Sequence, residues 1–241
     1  MFAIFRKEVH SFLSSLVGYV VMAVFLTAMG LLVWLFPDTS VLDAGYADMA
    51  SFFRLAPYVF LFLVPAITMR LIAEERKSGT LELLLTKPLT EWQVIGGKFL
   101  AACFLLLISL LPTLLYYFSV YRLGNPPGNI DSASVQGSYL GLFLLGCVFA
   151  AIGVYTSSLT DNQIVAFLLG VFVCFLLYVG FSSIAGLEWW EGAAYWLEWL
   201  GLDTQYNALG RGLIDSRNLV YFISLILLAL AGTYARLRKR S

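Results

Sequence analysis

Long apolar runs broken by short polar ones set the pattern of this chain. Six of them carry almost no charge: Leu16–Phe36, Pro57–Ile72, Phe99–Tyr121, Gly137–Ser158, Gln163–Ile184 and Leu219–Ala235. A helix needs about 20 predominantly apolar residues to cross hydrocarbon, so the pattern predicts six crossings. Pro57 and Pro65 punctuate the second run, and Arg70 at its end is long enough to snorkel to the interface. Pro112 predicts a kink in the third run. Its neighbours Thr113, Tyr116 and Tyr117 either face a lateral cavity or are satisfied inside the bundle. Ahead of the first run, Phe2, Phe5, Val9, Phe12 and Leu13 stand at helical spacing among Arg6, Lys7, Glu8 and His10. That is the pattern of an amphipathic helix lying in the interface.

Between the second and third runs, Arg70–Lys98 is rich in charges of both signs. Ser78, Gly79 and Thr80 are acceptable helix starters, and Glu82 falls in a first turn, where a carboxylate complements the helix dipole. Leu81, Leu84 and Leu85 stand at i, i+3 and i+4 and make one apolar stripe. Lys87-Pro88 then stops the helix. The prediction is a helix of about two turns with an apolar ridge fitted to a groove on a soluble partner. On pattern alone, an ordinary charged loop is the alternative.

The remaining connections say less. Pro37–Ala56 holds a short apolar patch, Met49–Phe53, expected to rest on the outer interface. Arg122–Gln136 is turn-rich, and Ser157–Asn162 reads as a tight turn. Gly186–Asn218 is distinctive: Trp189, Trp190, Trp196 and Trp199 are interleaved with Glu188, Glu191 and Glu198. Tryptophan favours the headgroup level. A pair of short interfacial or re-entrant helices is expected there, with a plain aromatic belt as the alternative.

Composition agrees with a polytopic membrane protein. The 241 residues are 60% hydrophobic and 12% charged, about half the charged fraction of a soluble domain. One membrane domain, residues 1–241, uses the whole length. The first run is too long for a cleavable signal peptide, so it is expected to remain as a span. The formal net charge is zero, but its distribution is not even. With both termini in the cytoplasm, all fifteen Lys and Arg residues except Arg54, Arg122, Arg211 and Arg217 lie inside, a strong positive-inside bias.

Several chemistries lack their residues. No Asp, Glu, Lys, Arg or His stands near the middle of any run, which argues against a proton- or sodium-coupled transporter and against intramembrane acid–base catalysis. The single histidine, His10, excludes a histidine metal cluster within this chain, and Cys103, Cys147 and Cys174 fit no metal spacing. Gly96-Gly97-Lys98 is no phosphate loop, because Trp92 takes the first glycine position and Phe99 the position of the hydroxyl residue. Any nucleotide chemistry is expected on another polypeptide. In the fourth run, Gly137-x-x-x-Gly141 and Gly146-x-x-x-Ala150 allow close helix approach, a pattern common to any bundle.

The segment Glu74-Glu75-Arg76-Lys77-Ser78-Gly79-Thr80-Leu81-Glu82-Leu83-Leu84-Leu85-Thr86-Lys87-Pro88-Leu89 resembles the coupling-helix segment of ABC-2 type transporter permeases. The resemblance implies an all-α integral membrane protein: an N-terminal elbow helix (1–15), six transmembrane helices, a cytoplasmic coupling helix between spans 2 and 3, and short external helices between spans 5 and 6. It implies that Glu74, Glu75, Arg76, Gly79, Thr80, Leu81, Glu82, Leu84, Leu85 and Pro88 dock a dimer of cytoplasmic ABC ATPase subunits. Leu81, Leu84 and Leu85 would fill the partner's groove, while Glu74, Glu75, Arg76 and Glu82 orient the contact. ATP and Mg would then be held by the ATPase, and this chain would be no enzyme and carry no cofactor of its own. Val64–Arg70, Leu123–Asp131 and Ser158–Phe167 are similar to the gliding-motility permease subfamily called GldF. That likeness implies a bacterial inner-membrane location and either a second related membrane subunit or a second copy of this chain. Membrane lipid is the other expected neighbour; nucleic acid is not. Two functions remain open: ATP-driven export, or a non-translocating subunit passing ATPase motion to an external domain of a partner.

Overall fold

The computed structural model describes residues 1–43, 45–81, 89–186, 198–211 and 215–238, and among these there is no β-strand. Helix α1 (Phe2–Leu13) precedes α2 (Leu16–Trp34), α3 (Ala50–Thr68) and α4 (Arg70–Lys77). Then come α5 (Glu91–Leu110), a 3-10 turn (Leu111–Thr113), α6 (Leu114–Leu123) and α7 (Ser132–Leu159). Helix α8 (Gln163–Phe175) runs through a π turn (Leu176–Gly180) into α9 (Phe181–Ala185), followed by α10 (Leu202–Leu209) and α11 (Ser216–Arg238). Six helical stretches are long and apolar enough to cross a membrane: Leu16–Trp34, Ala50–Lys77, Glu91–Leu123, Ser132–Leu159, Gln163–Ala185 and Ser216–Arg238.

Helix starts follow local chemistry. Ser15, Asp131 and Asn162 cap α2, α7 and α8 by accepting from first-turn amides. Thr90 and Gln93 form a reciprocal capping box at the head of α5. That box starts the third span at Glu91 rather than at the predicted Phe99, so Lys98 becomes a helical residue. The kink expected at Pro112 is the 3-10 turn. Thr113, Tyr116 and Tyr117 are satisfied inside the bundle, through Tyr139, the Leu26 carbonyl and Ser132 respectively.

Helix α7 is the hub, with α3, α4, α5, α8, α10 and α11 all packed on it. Its small residues admit neighbours from the same chain. A Cβ on Gly146 would overlap the Leu106 side chain, and one on Gly141 would stand 3.2 Å from Leu209 Cβ. Helices α2, α8 and α11 surround this core and leave large apolar residues such as Leu16, Leu168 and Leu228 exposed. The three cysteines are free and buried, as small packing residues should be.

The patch Met49–Phe53 does not lie on the outer interface. Met49 and Phe52 are buried to within 1% of full, and Phe52 and Phe53 pack their rings against Tyr139. The reason is Pro57. A proline inside a helix frees the carbonyl four residues before it, here that of Phe53, and Tyr206 Oη of α10 donates to that oxygen at 2.8 Å. With the lost bond replaced, α3 continues back through Pro57 to Ala50 and takes the patch into the core. In the tryptophan-rich connection, residues 187–197 lie outside the described residues, with Trp189, Trp190 and Trp196 among them. Beyond them, α10 buries Leu202, Tyr206 and Leu209.

Candidate functional site

At the end of the bundle where α1 lies and where Tyr234 of α11 stacks on Trp92 of α5, three elements converge on one buried lysine. Helix α1 packs along the start of α5, close enough that a Cβ on Gly97 would meet the Met1 carbonyl and Ile4 Cβ at 3.0 Å. Beneath that approach, Lys98 of α5 has no exposed surface. Its Nζ donates to Glu8 Oε1 of α1 at 2.8 Å and to the Leu71 carbonyl of α4 at 2.6 Å. Glu75 Oε2 of α4 makes an ion contact with it at 2.8 Å. Lys7 Nζ, on the solvent side, donates to Glu75 Oε1 at 2.6 Å and lies 3.7 Å from Glu8. Two ammonium groups and two carboxylates therefore cancel across α1, α4 and α5.

Burying an ammonium costs several kcal/mol unless partners replace its water, and each carboxylate here is nearly enclosed, with side-chain exposures of 11% for Glu8 and 12% for Glu75. Burial by itself would depress the Lys7 pKa, but the Glu75 and Glu8 carboxylates outweigh it and the pKa is raised. The cluster is a charge-neutral knot that fastens α1 and α4 to the head of α5.

Helix α4 is the other half of the site. Arg70 lies 4.8 Å over the Phe12 ring and Nη2 donates to Ser15 Oγ, so it reaches α1 rather than the open interface. Arg76 Nη1 donates to the Ser158 carbonyl at 2.8 Å. Gly79 closes the helix: its φ of +71° is the left-handed conformation favoured just past a helix end, and its amide returns to the Arg76 carbonyl. Gly79 thus ends α4, and Thr80 and Leu81 directly after it are again helical. Ser78 and Thr80 hydroxyls donate to the Glu74 and Glu75 carbonyls and satisfy the last turn.

The predicted docking residues fall into three groups. Glu74, Gly79 and Thr80 are exposed. Glu75, Arg76 and Leu81 are engaged within the chain, with Leu81 packed into its apolar cluster at 7% exposure. Glu82, Leu84, Leu85 and Pro88 lie outside the described residues. Sequence reasoning missed Lys98, Glu8, Lys7 and Ser157. Lys98 stands in the stretch that fails as a phosphate loop, and Ser157 and Ser158, in a predicted turn, are fully buried in the last turn of α7. The one readable sign was the capping box at Thr90, which places Lys98 on a helix face two turns on. No group of three or more potential metal ligands occurs among the described residues.

A second polar feature lies at the opposite end. A cavity of about 650 Å³ opens between the 37–48 connection, the start of α3, the start of α7 and α10, with Asp38, Asp43, Arg54 and Arg211 among its lining.

Comparison with known proteins adds an independent line. The family model for "ABC-2 family transporter protein" matches residues 2–241. The chain is 32% identical over 110 residues to the "Probable multidrug ABC transporter permease YbhR" of Escherichia coli strain K12, and likewise to that of Escherichia coli O157:H7. Each alignment covers 46% of this chain and 28% of the relative, so the chain spans well under a third of those proteins.

Proposed function

The chain belongs to the ABC-2 family of transporter proteins, and from that premise we propose that it is the membrane-spanning permease subunit of an ATP-driven complex in a bacterial inner membrane, with both termini cytoplasmic. A dimer of ABC ATPase subunits, holding ATP and Mg, docks on the segment after α4. Leu84 and Leu85 enter its groove, Leu81 anchors the segment to the bundle, and Glu74, Thr80, Glu82 and Pro88 border the contact. Helix α1 serves as the elbow helix and the segment from Gly79 on as the coupling helix. The observation that carries the reading is the neutral knot around Lys98. A segment pushed by a motor must be fastened to the body it moves, and four charges tie its root, α4, to α1 and α5.

One observation favours force transmission over solute passage. Thr113, Tyr116 and Tyr117, the polar residues at the kink of the third span, spend their hydroxyls inside the bundle. In that version the ATPase motion passes to an external domain of a partner membrane subunit. The stretches Val64–Arg70, Leu123–Asp131 and Ser158–Phe167 support a place among the gliding-motility permeases.

The test is affinity purification of the tagged chain from its own cells, with mass spectrometry of the proteins that accompany it, beside Leu84→Asp. An ABC ATPase should accompany the unmutated chain and be lost from a folded Leu84→Asp protein. A stable chain that emerges without any nucleotide-binding partner would overturn the assignment.

A further inference from the structure

The second span is two helices, and the joint between them is completed by a third. Helix α3 ends at Thr68, α4 begins at Arg70, and Met69 between them provides no side-chain cap. First-turn amides of a helix have no acceptor in their own ladder. For α4 the acceptor comes from α7. The amides of Ile72 and Ala73 donate to Ser157 Oγ at 3.1 and 3.0 Å, and that hydroxyl donates to the Met69 carbonyl at 2.8 Å. Ser157 has no exposed surface. Arg76 adds a bond to the next residue, through the Ser158 carbonyl.

One turn back along α7 the contact is of another kind. Gly153 receives the Thr68 side chain where a Cβ would overlap it, but the Thr68 hydroxyl is spent on its own helix, at the Val64 carbonyl. So α3 meets α7 there by van der Waals contact, while α4 is held to α7 by directed hydrogen bonds in a dry site. Packed surfaces without polar links slide past one another at little cost; a buried hydroxyl with three partners does not let go without leaving them unsatisfied.

We propose that Ser157 is a positioning residue of the coupling machinery: it makes α4 and the adjoining end of α7 one body, so that displacement of the segment after α4 bends the second span at Met69 and is delivered to the fourth span. Gly153 and Thr68 form the pivot. The delivery half rests on the docking reading above; the joint itself does not.

The isolated chain in lipid nanodiscs tests the joint. Hydrogen exchange at Ile72 and Ala73 should quicken about 10-fold or more in Ser157→Ala, since the amides lose the hydroxyl that accepts from them. Ser157→Thr, which keeps the hydroxyl, should stay near the unmutated rate. Spin labels at Lys77→Cys and Asp161→Cys, with the three native cysteines changed to Ala, should give a narrow distance distribution that broadens in Ser157→Ala. If Ser157→Ala fails to assemble, Ser157→Gly carries the same comparison. Unchanged exchange and an unchanged distribution would overturn the proposal. With the ATPase and ATP-Mg added, Lys77→Cys should shift relative to a label at Phe62→Cys on α3 while its distance to Asp161→Cys holds. The reverse pattern would also overturn it. An ATPase that does not bind at all sinks the docking reading and leaves the nanodisc result standing on its own.

Discussion

Replacing Lys98 with Met keeps the length of the side chain and removes its charge. In the unmutated chain the ammonium stands 2.8 Å from one oxygen each of Glu8 and Glu75 and 2.6 Å from the Leu71 carbonyl. In Lys98→Met both carboxylates remain nearly enclosed, and the Leu71 oxygen loses that donor. Removing one member of a buried ion pair costs about 3–5 kcal/mol, chiefly because the remaining charge is left uncompensated. Lys7 stays at 2.6 Å from Glu75 and 3.7 Å from Glu8, so the lower end, about 3 kcal/mol, is expected. The assay is SDS titration of the detergent-solubilised protein followed by helical circular dichroism. The triple variant Lys98→Met, Glu8→Gln, Glu75→Gln removes the stranded charges with the lysine and should recover most of the loss. A loss below about 1 kcal/mol for Lys98→Met, or a triple variant less stable than the single one, would refute the claim that this charge knot fastens α1 and α4 to α5.

The same geometry sets further outcomes. Gly153→Ala puts a methyl into the space of the Thr68 side chain and should cost about 1–3 kcal/mol in the same titration, with Thr68→Ala as a second change recovering part of it, since the overlap with the Thr68 hydroxyl goes while its Cβ stays. Tyr206→Phe strands the Phe53 carbonyl that Pro57 frees and should destabilise by about 1–3 kcal/mol, while Phe222→Tyr in the same titration gives the cost of an unrelated polar change to a core ring. For pH, the Lys7 pKa is raised on folding. Its stabilising contribution is therefore complete below the unfolded value of about 10.4 and is lost as pH rises through the folded value. Tethering of α1, read by cross-linking between labels on α1 and α4, should hold through neutral pH and weaken only in strong alkali; weakening between about pH 6 and 9 would contradict it.

Six crossings, the amphipathic α1, the kink at Pro112 and the internal use of the cysteines were legible in the chain. They depend on hydrophobic length, on helical period and on proline's missing amide, all of which are local. Family membership was legible too, in the run Glu74–Leu89, and the match over residues 2–241 bears it out. Helix limits were less so. Pro57 looks like a boundary from its neighbours alone, and only Tyr206, 153 residues away in sequence from Phe53, makes it an interior residue.

The site shows the same division. That a charged segment leaves the second span was plain from residue types, because charge is a property of each residue. Which charges face solvent is not. Lys98, Glu8 and Glu75 come from three helices separated by as many as 90 residues, and a lone lysine at a span's edge has the same letter whether it snorkels or is sealed. Ser157 is a serine at a helix end until α4 is brought against it; then its one hydroxyl serves three backbone groups of another helix. Apolar periodicity needs only the neighbours in the chain, so sequence determined the spans. Satisfying a buried polar group needs a partner at hydrogen-bond distance, and only the packing of α1, α4, α5 and α7 decided who that partner is.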